Sequence, residues 1–431
     1  MALPSTKNHA NEKPPSSPEN ESGSKFIARQ PIFDRQQQVY GYELLPRPDG
    51  SDLPGGLDSN KSPGREIGNH SFHHSIGKLV GNRKAFLSFS RELLLSDPAT
   101  FFRKDATVIN IPKAVELDAE IRTACRRLKT LGYCLALDDV DSMERPIAFL
   151  DLLDFIRVDF SRTAHQLKEE LVANFAPCGI ALLATNVETQ EEVRQAEAAG
   201  FEYFQGSFFR KPQFLPHREI PPFQLNYLHI LQAVNRPEIN LREIEQIIKR
   251  EAIFSYKLLH YLNSPFFGFR NDIRSIRHAL SLLGRKEVKV WASALAVASM
   301  GVDQPAELVI SSFVRAVWCK ELAAQIAGED QQEDFFLLGL FSMLDGILGR
   351  PMPEVLSCLP LPDELKTALL PHRSTYAGNL LENVIAMVQA YEQGDWETFA
   401  ALAAVLKVAE ETMPETYLRA IEWAHQVFQL S

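Results

Sequence analysis

Between Phe26 and Gln205, short apolar runs alternate with helix-like segments, and this alternation restricts the fold more than any other feature of the chain. The runs are Val39–Leu44, Ala85–Phe89, Thr107–Ile111, Cys134–Leu137, Phe155–Val158, Ile180–Ala184 and Tyr203–Phe204. Helical periodicity appears between them at Ile67–Val80, Ala114–Leu131, Arg162–Asn174 and Thr189–Ala199. Strand and helix alternating this often within one unit require a mostly parallel sheet, and seven such strand candidates suggest one closed into a TIM-like β/α barrel.

The pattern changes after a proline cluster at Pro212, Pro216, Pro221 and Pro222, which reads as a linker. Beyond it the apolar residues follow helical spacing at Leu241–Arg250, Ser255–Asn263, Ile276–Leu283, Val288–Ala298, Phe313–Ile326, Asp334–Leu348, Pro362–Leu370, Leu380–Gln389 and Thr398–Val405. The chain therefore divides into three parts: a tail over 1–24, an α/β unit over 25–214 and an all-α unit over 215–431. The tail is rich in Ser, Pro, Asn and Glu with almost no large apolar residues, a composition that predicts disorder.

Composition excludes several function classes. A net charge of −10 with only short basic clusters (Arg126-Arg127-Leu128-Lys129 and Lys249-Arg250) argues against nucleic-acid binding. Five scattered cysteines without paired spacing argue against a disulfide framework or a zinc site and favour the cytoplasm. No apolar stretch is long enough for a membrane span.

In a β/α barrel the chemistry sits at the C-terminal ends of the strands. The polar residues there are Glu43, Ser88, Asn110, Asp138 with Asp139, Arg157 with Asp159, Thr185 with Glu188, and Gln205. Two adjacent carboxylates at the end of an apolar strand repel each other and suggest a cation between them. A two-metal centre needs about five or six oxygen ligands, most of them anionic, and this set is poorer than that. A single weakly held Mg²⁺ at Glu43, Asp138 and Asp139 is the most that it admits. The bland alternatives stay open beside it: the Asp pair ends a strand and pairs with Arg157 or Arg47, Glu43 pairs with Arg47, and Gln205 is a structural hydrogen-bonder. His70, His73 and His74 share one helical face at a spacing that suits a metal, and a plain surface helix explains them equally.

Several motifs occur in family order: Ala28-Arg29-Gln30-Pro31-Ile32-Phe33-Asp34, Tyr42-Glu43-Leu44-Leu45-Pro46-Arg47, Leu137-Asp138-Asp139, Asn186-Val187-Glu188-Thr189 and Gln205-Gly206-Ser207-Phe208-Phe209. With them the first unit resembles a shortened EAL domain of cyclic-di-GMP phosphodiesterases. The stretch Leu262-Asn263-Ser264-Pro265-Phe266-Phe267-Gly268, with Ile273 to Leu280 after it, makes the second unit resemble an HDOD domain. The resemblance implies a TIM-like barrel followed by an HD-related helical domain. It places the family's metal-site and substrate residues on Glu43, Arg47, Asp138, Asp139, Arg157, Glu188 and Gln205. Ser88, Asn110 and Thr185 stand where the family has other residues, and Arg157 stands where it has a catalytic lysine. Ser342 and Met343 fall where an HD metal dyad would lie.

By these departures the resemblance implies a degenerate EAL domain without catalysis and with no cofactor beyond that weak Mg²⁺. The expected function is a bacterial signalling scaffold that docks signalling proteins through its HDOD domain, in motility or surface behaviour, and a homodimer is compatible with it. Two alternatives accompany it: a cyclic-di-GMP receptor clamped by Arg47, and a weak metal-dependent cyclic-di-GMP phosphodiesterase.

Overall fold

The computed structural model describes residues 27–47, 76–96, 102–210, 221–250, 252–263, 273–370 and 379–430. The tail, the His70, His73 and His74 spacing and the Phe266-Phe267 loop lie outside the described residues. Eight strands form a closed barrel in chain order: β1 Ile27–Asp34, β2 Val39–Pro46, β3 Lys84–Ser88, β4 Thr107–Ile111, β5 Cys134–Leu137, β6 Phe155–Asp159, β7 Ala181–Thr185 and β8 Tyr203–Gln205. The strands from β2 to β8 are parallel, whereas β1 runs antiparallel to both β2 and β8 and closes the barrel between them. The periodicity reading missed β1. Pro31 and the polar residues Arg29 and Gln30 break its apolar pattern, and a proline is tolerated only where its missing N–H is not required.

Among the described residues the helices α1 Arg91–Ser96, α2 Ala119–Leu131, α3 Glu144–Ala148, α4 His165–Phe175 and α5 Gln190–Ala199 accompany the barrel strands, and residues 76–80 are helical as well. Local signals delimit two of them. The Asp118 carboxylate accepts the Ile121 N–H at the start of α2, and Gly132 ends it in the left-handed conformation. Thr189 and Glu192 cap α5 reciprocally. Inside the barrel, Ile32, Phe86, Val108, Ala136, Phe155 and Leu183 form a separate apolar plug, so the strand ends form a mouth rather than a channel.

The second half is helical: α6 Pro222–Val234, α7 Leu241–Arg250, α8 Ala252–Leu262, α9 Ile276–Met300, α10 Ala306–Ile326, α11 Gln332–Phe341, α12 Leu344–Leu348, α13 Met352–Ser357, α14 Asp363–Leu369, α15 Leu380–Gln393, α16 Trp396–Leu406 and α17 Met413–Leu430. The single pattern over Asp334–Leu348 resolves into two helices that part at Ser342-Met343, and the α9 helix is broken at Gly284 (φ 76°). At the close crossing of α10 and α11 a Cβ on Gly339 would lie 2.2 Å from the Arg315 carbonyl oxygen.

The halves share one apolar core, which runs from Ala28, Tyr42 and Leu44 to Phe313, Tyr391 and Tyr417. A buried polar seam crosses it. Arg29 on β1 lies 3.6 Å from Glu307 on α10 and donates to the Leu79 carbonyl. The Tyr42 hydroxyl donates to Glu307 at 2.7 Å. On α15, Glu392 accepts three hydrogen bonds from Arg315 at 2.7–3.1 Å and lies 3.3 Å from Arg210. Burial would push the Glu392 carboxyl up, but Arg315 and Arg210 outweigh it and hold it below its ordinary range.

Candidate functional site

Strand direction decides which side chains meet at the mouth. Successive residues of a strand face opposite sides, so Glu43 turns inward at the end of β2 while Tyr42 turns outward to the seam. Glu43 is 7% exposed, yet it is saturated. Its Oε1 accepts from Arg157 Nη1 at 2.7 Å and from Asn110 Nδ2 at 3.5 Å, and its Oε2 accepts from Arg157 Nη2 at 2.7 Å and Gln205 Nε2 at 2.6 Å. Burial would raise the Glu43 carboxyl, but the Arg157 guanidinium and the Gln205 amide keep it below its ordinary range.

Arg157, on β6, is 3% exposed and stands at the centre of this group. Besides the bidentate grip on Glu43 it donates to Gln205 Oε1 at 2.9 Å and lies 3.2 Å from Asp138. The Asp138 carboxyl is pushed up to about 6, first by burial and then by repulsion from Glu43 and Asp139, with Arg157 opposing. Two buried polar atoms here have no protein partner, Asn110 Oδ1 and Arg157 Nε.

The adjacent carboxylates part company at the end of β5. Asp139 adopts a left-handed backbone (φ 47°) and is exposed, so only Asp138 faces the guanidinium. A cation shared by the pair is therefore replaced by an ion pair between one member and Arg157. The Arg47 guanidinium pairs with Glu410 in the helical half and lies over the Phe399 ring at 5.9 Å. The Glu43–Arg47 pair considered from sequence is absent. Each partner is engaged elsewhere: Glu43 with Arg157 across the barrel mouth, and Arg47 with Glu410 in the helical half.

The remaining strand-end residues are local. Glu188 is exposed on the loop before α5. Thr185 donates to the Val158 carbonyl, and Asp159 accepts from Ser161, Arg162 and Asn186. Ser88 pairs in register with Asn110, which is fully buried and reaches Glu43 through its amide nitrogen. In the helical half Ser342 accepts from Arg315 at 3.1 Å and donates to the Gly339 carbonyl, while Met343 is buried.

One site residue was not among the strand-end candidates. Gln30 accepts from Gln205 Nε2 at 3.1 Å and donates to the Gln393 carbonyl at 3.2 Å, joining the mouth to α15. It sits near the start of β1, and an antiparallel strand brings its beginning, not its end, to the mouth. No periodicity in the sequence reports strand direction.

Comparison with known proteins follows the same division. The family model described as EAL domain matches residues 89–212, and that described as HDOD domain matches residues 220–349. Protein YuxH of Bacillus subtilis is 31% identical over 413 residues, covering 93% of this chain and 98% of its own. The chain belongs to the EAL–HDOD family. A second relative, the cyclic di-GMP phosphodiesterase CdgJ of Vibrio cholerae, is 28% identical over 94% of this chain and 93% of its own. Among solved structures, the EAL enzyme Bd1971 in its cAMP- and cyclic-di-GMP-bound form aligns at 18% identity over 44% of this chain and 62% of that chain, with a TM-score of 0.33.

The CdgJ match overturns the expectation that this EAL–HDOD chain is not an enzyme. That expectation scored each strand end as an independent ligand kept or lost, whereas Asn110, Arg157, Glu43 and Gln205 form one hydrogen-bonded unit whose chemistry the separate residue types do not give.

The family also implies a divalent metal, and the donor set decides how well it fits. Among the described residues no group of three or more His, Cys, Asp or Glu side chains is arranged to hold a metal ion. Both oxygens of Glu43 are taken by Arg157, and a divalent cation placed among the same carboxylates would face a fixed guanidinium charge at close range. The Mg²⁺ site expected on Glu43, Asp138 and Asp139 does not fit this arrangement. Among the described residues no helix is long and apolar enough to cross a membrane.

Proposed function

We propose that this EAL–HDOD chain is a cyclic-di-GMP signalling protein, with residues 25–214 as its barrel unit and 215–431 as its helical unit, and that its barrel mouth serves to open the dinucleotide's phosphodiester ring. The observation that carries this is the Asp138–Arg157 contact, a protonatable carboxyl 3.2 Å from a buried guanidinium at the C-terminal end of a closed barrel. Similarity to CdgJ supports the choice of substrate and reaction.

The chemistry needs a proton acceptor for water and a positive charge opposite the phosphate. Water adds its oxygen to phosphorus as Asp138 takes its proton, the bond from phosphorus to one ribose oxygen breaks, and that oxygen is protonated from solvent at the mouth. The product is the linear dinucleotide. Arg157 supplies the positive charge, already shared between Glu43 and Asp138, so slow turnover is expected. The seam through Gln30, Arg29 and Tyr42 supports signalling output through the helical unit, since it joins both faces of β1 and β2 to α10 and α15.

The test is incubation of the full chain with cyclic di-GMP, with and without Mg²⁺ or Mn²⁺, followed by chromatography for the linear product and calorimetry for binding. Asp138→Asn should lower turnover by about 10²-fold or more while leaving affinity within a few-fold. Neither binding nor product under any of these conditions would overturn the proposal.

A further inference from the structure

We infer that the cleft between the outer wall of β2 and the helices α10 and α17 is a binding site for a nucleoside monophosphate. This does not rest on the nucleotide or the reaction proposed above. Successive strand residues face opposite sides, so Glu43 serves the mouth while Tyr42 lines this cleft on the other side of the barrel wall.

The cleft has a volume of about 700 Å³, within the range of small-ligand pockets. Two of its polar groups meet one buried guanidinium. Glu307 is 3% exposed, and its Oε2 accepts from the Tyr42 hydroxyl at 2.7 Å. Among the described residues its Oε1 accepts no hydrogen bond, with Arg29 Nη2 at 3.6 Å. A carboxylate oxygen left without a donor in a buried residue is costly, and an N–H group entering the cleft would satisfy it. His425 stands at the other arm of the guanidinium, 3.3 Å from Arg29 Nη1. Arginine only donates, so Nε2 of the neutral ring is the acceptor and Nδ1 carries the proton. Among the described residues that N–H has no acceptor.

The cleft therefore offers an acceptor and a donor flanking one guanidinium. The edge of every standard nucleobase carries the complement, an N–H beside an oxygen or ring-nitrogen acceptor. Charge at the rim favours an anionic end on the same molecule. Lys78 is engaged by Glu422 at 2.8 Å, whereas Arg83, exposed just before β3, pairs with no carboxylate among the described residues and is left for a phosphate. The carboxamides of Gln426 and Gln429 suit the hydroxyls of a ribose, and Ile310 and Phe428 give apolar surface for the plane of a base.

The experiment is calorimetric titration of the full chain with GMP, AMP, CMP and UMP in turn, with ribose 5-phosphate and the matching nucleoside as comparators. At least one nucleotide should bind, and at least about 10-fold tighter than ribose 5-phosphate and than its own nucleoside. Arg83→Ala should weaken that nucleotide about 10-fold or more, to the level of its nucleoside. Glu307→Gln keeps an oxygen for Tyr42 but turns a donor toward the cleft, and should also weaken binding about 10-fold or more. Arg83 is exposed, so its variant should fold like the parent and tests the inference even where Glu307→Gln does not fold. Binding of none of the four nucleotides overturns the inference. So does ribose 5-phosphate binding as tightly as any of them, which would leave a phosphate site alone. A nucleotide affinity that Arg83→Ala leaves unchanged overturns it too, since that nucleotide would sit elsewhere on the chain, the barrel mouth included.

Discussion

Removing the Glu392 carboxylate should cost more than any surface charge change, because it strands two arginines in the seam between the halves. Glu392 is 4% exposed and Arg315 3% exposed, and the pair is joined by hydrogen bonds of 2.7, 3.1 and 3.1 Å, with Arg210 at 3.3 Å. Breaking a buried ion pair from one side leaves an uncompensated charge and costs about 3–5 kcal/mol. For a chain of 431 residues the unfolding entropy scales to roughly 0.9 kcal/mol per kelvin, so Glu392→Ala should lower the thermal midpoint by about 3–6 °C if the halves unfold together. Glu392→Gln should lose less, since the amide oxygen still accepts from Arg315. The double change Arg315→Met with Glu392→Leu removes both charges and should recover much of the loss, because apolar replacement of a buried pair is often neutral. Calorimetry of the four proteins at neutral pH supplies the comparison. A Glu392→Ala cost below about 1 kcal/mol, or a double variant no better than the worse single, would refute the view that stranded charge dominates.

Three further outcomes follow from the same geometry. His425 is held neutral, its pKa lowered to about 4 by burial and by the Arg29 guanidinium 3.3 Å away, so its contribution is present above about pH 6.5 and is lost as pH falls toward 4. With the residue only partly buried the loss is about 1–2 kcal/mol, and His425→Gln should flatten that part of the acid-unfolding profile. Asp138 has the opposite sign: it is raised to about 6, first by burial and then by Glu43 and Asp139, so it destabilises the fold as pH rises through that value. Asp138→Asn should accordingly be more stable than the parent at pH 8, by on the order of 2 kcal/mol, and no different near pH 4, as urea titrations at the two pH values would record. Gly339→Ala places a Cβ 2.2 Å from the Arg315 carbonyl oxygen and must force α10 from α11, at a cost of about 1–3 kcal/mol or more measured by denaturant titration.

Much of the barrel is legible along the chain because strands buried on both faces read as uninterrupted apolar runs. Seven of the eight strands fall within two residues of those runs, and β4 and β5 coincide with theirs. The eighth, β1, is hidden by Pro31 and by Arg29 and Gln30, whose side chains serve the seam and the mouth rather than an apolar layer. The helical half is legible where one face is apolar, as over Leu241–Arg250. It is not legible at Ser342-Met343, where apolar residues continue through a backbone break, nor at α6 and α17, which the periodic pattern left out.

The sequence alone determined the order of barrel then helices, the strand ends that carry polar residues, and the family whose motifs they follow. These are local properties, set by period, turn chemistry and residue type. Which of those polar groups meet was decided by tertiary structure alone. Arg157 grips Glu43 across 114 positions of chain, Arg47 turns instead to Glu410 across 363, and Asp139 swings out on a left-handed turn that leaves Asp138 behind. Pairing of charges depends on distance and burial, and neither is written in spacing along the chain. The same holds for Gln30, brought to the mouth only because the first strand runs against the rest.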